Sequence, residues 1–155
     1  MSNIQIKEDT IRTIYKTSSS ENKKLLEKEL TKKFFENIID KIKDFDDILE
    51  LSGYESEEEF LPYKKPKNKK ELRLNNIARL QLIAEVYNEG WVEDWLNNQQ
   101  YKYYPYFNKS SGSWVVGGYD CDASISFGSL VYFKDKERAL DAGNKFIKIY
   151  SEILG

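Results

Sequence analysis

Residues 101–107 read YKYYPYF, four tyrosines and a phenylalanine around one lysine and one proline. In an extended strand the side chains alternate, so Tyr101, Tyr103, Pro105 and Phe107 share one face and Lys102, Tyr104 and Tyr106 the other. Helices cover one side of a small antiparallel sheet more readily than both, and the Lys102 face is the one expected to meet solvent. Aromatic rings beside an ammonium suit a planar anionic ligand such as a nucleotide, because each stacked base contributes roughly 1–3 kcal/mol without demanding a sequence. Trp91, Trp95, Trp114 and Tyr119 are the further candidates for the walls of such a site. Aromatics are also ordinary strand residues, so the same run reads equally as core. Pro105 supplies no backbone donor and belongs on an edge strand or at a bulge.

The carboxylates Glu93, Asp94, Asp120 and Asp122 raise a metal or acid/base reading, and the run DCD places oxygens at alternate positions. A calcium loop needs further oxygens and a terminal bidentate carboxylate, which ASISFG after Asp122 does not supply. These acids are read as turn residues that satisfy local backbone donors. The sequence contains no histidine, which removes Ser-His and Cys-His pairs and imidazole ligands. Its single cysteine, Cys121, excludes an internal disulfide. NKSSGS and WVVGG lack the order of a phosphate-binding loop or a dinucleotide turn. No catalytic residue, metal or cofactor is expected.

The elements that must position these residues are helical in the first half. Ile11, Ile14 and Tyr15 fall at helical spacing. Ser18 followed by Glu21 reads as a capping box opening SSENKKLLEKELTKKFF, with Leu25, Leu26, Leu30, Phe34 and Phe35 as its apolar stripe. NIIDKIK at 37–43 is a connector, extended or helical. Asp44 caps a short helix that Gly53 stops. Residues 55–70 form a charged loop carrying Pro62 and Pro66, whose lysines at 64–70 are read as solvated. The most apolar helix spans 71–89, and WVEDWLNNQQ follows as a capped turn or short helix; if helical, it sets Trp91 and Trp95 on one face. YKYYPYF, SWVVGGY and ISFGSLVYF then read as a three-stranded antiparallel meander, with Gly112 in a turn and Gly117 and Gly118 at a bulge or bend. Asp135 caps a final helix to residue 154, where Gly143 permits close approach to the sheet.

The chain has 155 residues, enough for one domain (1–155) with a core that needs no disulfide or metal. Lys and Arg number 24 against 26 Asp and Glu, a net charge of −2 that disfavours nucleic acid as a partner. No apolar run reaches the ~20 residues that span a bilayer, so no membrane partner is expected, and the cytoplasm is the expected compartment.

The segments IKEDTIRTIYKTSSSENKKLLE, NEGWVEDW followed by YKYYPYF, and LVYFKDKERALDAGNKFIKIY together resemble a family of small proteins from gut Bacteroides-type bacteria and their phages. The resemblance covers nearly the whole chain. The family pattern often has proline where Glu93 stands and arginine where Leu130 stands, so no role for a cation at 130 carries over. It implies an accessory protein of a phage or mobile element and assigns no catalytic residues.

The expected architecture is α+β, an N-terminal helical half packed on a C-terminal three-stranded meander and its last helix. The expected function is non-enzymatic binding of a nucleotide-like small molecule, such as a host immune signal held during infection. A protein partner is the main alternative and a weak single-stranded nucleic-acid binder the third. A homo-oligomer is compatible with the sequence.

Overall fold

The computed structural model describes residues 8–30, 36–123 and 129–155. The chain divides into two compact units, Met1–Lys41 and Ile42–Gly155. The stripe residues Phe34 and Phe35, Ser124 of the expected turn, and the 125–128 part of the expected third strand lie outside the described residues.

The first unit contains α1 (Glu8–Thr17), α2 (Ser20–Leu30) and the single turn α3 (Ile38–Lys41). The cap of α2 falls one residue later than Ser18. The Ser19 hydroxyl accepts from Asn22 N–H at 3.4 Å, while the Ser18 hydroxyl donates back to the Ile14 carbonyl at 2.7 Å and so closes α1. The connector at 37–43 is helical only over α3.

In the second unit, α4 (Phe45–Ser52) opens with a complete capping box between Asp44 and Asp47 and ends at Gly53, whose φ of 82° is left-handed. A 3₁₀ turn (Glu57–Glu59) interrupts the charged loop. That loop is tethered, because the buried Asn75 side chain accepts from Tyr63 N–H at 3.0 Å and donates to the Tyr63 carbonyl at 2.8 Å. Helix α5 (Lys69–Asn88) starts at the Asn68 cap, two residues earlier than the apolar pattern indicates, and buries Leu80, Leu82, Ile83, Ala84 and Tyr87. WVEDWLNNQQ is a chain of turns with no helix, so Trp91 and Trp95 do not share a helical face. Asp94, Asn97 and Gln100 side chains take the Leu96, Gln99 and Asp94 N–H groups that a helix would have paired internally.

Strands β1 (Lys102–Ser110) and β2 (Ser113–Asp122) form an antiparallel hairpin. Its two-residue turn, Ser111 and Gly112, has positive φ at both positions (51° and 83°), the handedness that matches strand twist. The register shifts between Tyr106 and Phe107, so Gly117 is the extra residue of a β-bulge.

The fold is α+β, but the three-stranded meander is corrected to this two-stranded sheet. Among the described residues the third strand is one antiparallel bridge, Phe133 to Tyr103, with N–H···O distances of 2.7 and 3.0 Å. It lies beside β1, where a meander would have put it beside β2. Pro105 explains why it stops. Tyr103 spends its backbone groups on Phe133, so the next residue of β1 facing that edge is Pro105, which has no N–H to give.

The final helix is likewise two: α6 (Lys136–Lys145), capped by Asp135, and α7 (Ile147–Leu154), separated at Phe146. The Phe146 ring lies in the core, edge-on to Phe45 and Tyr87 with centroids 6.4 Å away in each case. Helix α6 lies close on the hairpin because Gly143 has no side chain; a Cβ there would stand 2.7 Å from Pro105 Cβ and 3.4 Å from Val116 Cγ2. Helix α7 continues the contact, with the Tyr150 and Phe107 rings 4.6 Å apart.

Candidate functional site

Those helix contacts identify one face of the hairpin. Tyr103, Pro105, Phe107 and Lys109 of β1 share it with Tyr119 and Cys121 of β2 and, beyond the bulge, with Val116 and Trp114. Pro105 and Phe107 are covered by α6 and α7. At the Lys102 end the same face stays open: Tyr101 is 54% and Tyr119 40% exposed, and Tyr103 is half-buried with its ring 5.9 Å from that of Tyr119. The Tyr103 phenol titrates above its ordinary range, first because burial disfavours the phenolate and then because Cys121, Tyr119, Tyr101 and Asp135 add negative charge nearby.

The other face is not the open one expected. Lys102 is 0% exposed. Its ammonium donates to the carbonyls of Asp94 (2.6 Å), Asn97 (3.2 Å) and Ala123 (3.4 Å) and sits 4.9 Å from the Trp95 ring centre. The turn-rich 91–100 loop folds over this end of the sheet, and the ammonium supplies donors to carbonyls that no helix or strand pairs. Tyr132, buried, links the cluster. It meets Trp95 edge-on at 5.1 Å and Tyr104 edge-on at 5.7 Å. Burial raises the Tyr104 phenol pKa, followed by the charges of Asp122 and Asp120.

Of the seven sequence candidates, Trp95, Lys102 and Tyr104 come together in this cluster. Tyr106, 43% exposed, lies against Gly117 and Gly118; a Cβ on Gly117 would come within 2.4 Å of the ring, so one side of it is covered by backbone. Trp114 is at the far end of the hairpin under the Lys109 ammonium, 4.9 Å away. Tyr119 is on the helix-side face. Trp91 is half-buried just after α5, its N–H on the Asn88 carbonyl. Tyr101 and Tyr103 were legible in the run but assigned to a covered face, and Tyr132 belonged to the strand that shrank to a bridge.

No protein-family profile, curated protein or solved structure matches this chain.

Among the described residues no three His, Cys, Asp or Glu side chains converge to hold a metal ion, and no described helix is long and apolar enough to cross a membrane. Asp120 accepts from Cys121 N–H at 2.8 Å, a local backbone contact, but Asp120 and Asp122 lie in strand β2 and not in the turn expected from the sequence, because the ladder to Tyr104 and Lys102 continues through them.

Proposed function

We propose that this protein is a binding protein that docks another protein through the tyrosine surface formed by Tyr101, Tyr103 and Tyr119. The observation that carries the reading is the open end of the helix-side face, where the exposed Tyr101 and Tyr119 flank the half-buried Tyr103 at one end of the hairpin. Tyrosine offers large contact area at low conformational cost and is enriched at protein interfaces. The nucleotide-binding alternative needed a cation beside the rings, and the Lys102 ammonium is turned inward onto backbone carbonyls instead. A role as an accessory of a phage or mobile element rests on the sequence resemblance.

A photo-reactive phenylalanine analogue at Tyr119 tests this. In the native host it is expected to capture one discrete protein, which Tyr101→Ser diminishes while the far-ultraviolet circular dichroism is unchanged. If nucleotides or signalling dinucleotides raise the melting temperature of the wild type but not of Tyr104→Ala, the small-ligand reading replaces this one.

A further inference from the structure

Strand β2 is paired on one side only. Its ladder alternates: Tyr103 gives its backbone groups to Phe133, so Tyr103 and Cys121 are a non-hydrogen-bonded pair across the hairpin, as are Pro105 and Tyr119. Past the bulge the same alternation makes Phe107 with Val116, and Lys109 with Trp114, non-hydrogen-bonded pairs. The N–H and C=O groups of Trp114, Val116, Tyr119 and Cys121 therefore point out of the sheet along the free edge. Among the described residues no segment pairs with that edge, and of its outward donors only Cys121 N–H has a partner, its neighbour Asp120.

From this geometry we infer that β2 pairs antiparallel with β2 of a second copy, giving a four-stranded sheet across a two-fold axis. The edge is self-complementary in one register. Setting Tyr119 opposite Val116 of the second copy also sets Cys121 opposite Trp114, so all four outward residues of each chain enter hydrogen-bonded pairs. Each of these residues is on the helix-side face, and directly opposed residues must share a face. A slip of one residue breaks that match. Gly117 falls opposite Gly118 at the axis, where no side chain obstructs approach. The only charged residues of β2, Asp120 and Asp122, lie at one end. In this pairing they oppose Val115 and Ser113, and Asp120 of one copy stands about 13 Å along the strand from its equivalent, the bulge shortening the span to four strand steps, still beyond the Debye length at physiological salt. The parallel alternative would stack like charges. At Cys121 the pairing replaces the Asp120 bond; at Tyr119 and Val116 nothing has to be displaced.

This pairing does not rest on the tyrosine-surface reading, but Tyr119 belongs to both, so capture of a second copy of this chain at Tyr119 would count for the pairing and capture of a different protein for the docking surface; the test of the pairing uses other residues. Sedimentation equilibrium of the full chain is expected to give a concentration-dependent dimer, and Val116→Pro, which deletes an outward N–H without touching the β1 ladder, to give a monomer. Register is read by a Val115→Cys, Asp120→Cys, Cys121→Ser variant under added oxidant. Positions 115 and 120 oppose each other between copies in a non-hydrogen-bonded pair, while within one chain they are far beyond the ~7 Å a disulfide spans. Disulfide-linked dimer from the double-cysteine chain, and none from either single cysteine in the same background, is the expected result. A chain that stays monomeric at all concentrations, or a dimer whose double-cysteine chain does not link, overturns the inference. If Val116→Pro fails to fold, the cysteine variants decide alone.

Discussion

At the scale of single residues, burial decides what the polar atoms do. The Lys102 ammonium holds three carbonyls of the surrounding loops. Lys102→Met keeps the stem and removes the donors, and is expected to cost about 1–3 kcal/mol in urea unfolding, with faster amide exchange at Leu96 and Asn97. Unchanged exchange there would show that the loop holds itself. Two core tyrosines are expected to differ for the same reason. The Tyr87 hydroxyl donates to Asp141 at 2.6 Å, and burial together with that carboxylate pushes its pKa far above the ordinary range. The Tyr150 hydroxyl is buried without a hydrogen-bond partner, and burial raises its pKa too. Tyr87→Phe should therefore cost about 1.5–3 kcal/mol, whereas Tyr150→Phe should leave stability unchanged or raise it by up to about 1 kcal/mol. Thermal or urea unfolding of the pair checks the contrast.

Between elements, close approach and one charge network set the packing. Gly143→Ala would ordinarily gain about 1 kcal/mol of helix propensity. Here the added methyl meets Pro105, so α6 must withdraw from β1 and a net loss of about 1–2 kcal/mol is expected from denaturation curves. At the end of α5, Glu89 receives Arg138 at 2.6 Å and Lys134 at 3.4 Å, and Arg138 also donates to the Tyr87 carbonyl. Burial alone would raise the Glu89 pKa, but the Arg138 hydrogen bond and the two positive charges outweigh it, and the net shift is downward. A carboxylate with a depressed folded pKa stabilises above its unfolded value, about pH 4.3, and that stability is lost as pH falls through the folded value. Stability is thus expected to drop less steeply below about pH 4.3 in Glu89→Gln than in wild type, measured by urea midpoint against pH.

For the whole molecule, the division at Lys41 and Ile42 has a direct consequence. Apart from Ile38, every apolar residue of the described core lies between Ile42 and Ile153. A chain of residues 42–155 is expected to fold alone with one cooperative transition. A fragment with the exchange behaviour of an unfolded chain would show that residues 1–41 complete its core.

Sequence by itself determined the α+β class, the Asp44, Gly53 and Asp135 boundaries, the Gly112 turn, the Gly117 bulge and the near approach at Gly143, because each follows from the chemistry of one residue and its immediate neighbours. Only tertiary structure decided which face of YKYYPYF meets water. Alternation says that Lys102 and Tyr103 point to opposite sides; it does not say that the 91–100 loop covers the lysine side while α6 and α7 stop short of Tyr103. Among the described residues the third strand is reduced to one bridge on the same ground. Its aromatic and β-branched composition favours extension, but a ladder needs donors on the partner edge, and Pro105 withholds one. Likewise the period of the last helix runs through Phe146 unbroken, and only the structure shows it divided there, with the Phe146 ring packed edge-on to Phe45 and Tyr87. Local propensity is written residue by residue, whereas exposure depends on distant segments competing to cover the same surface.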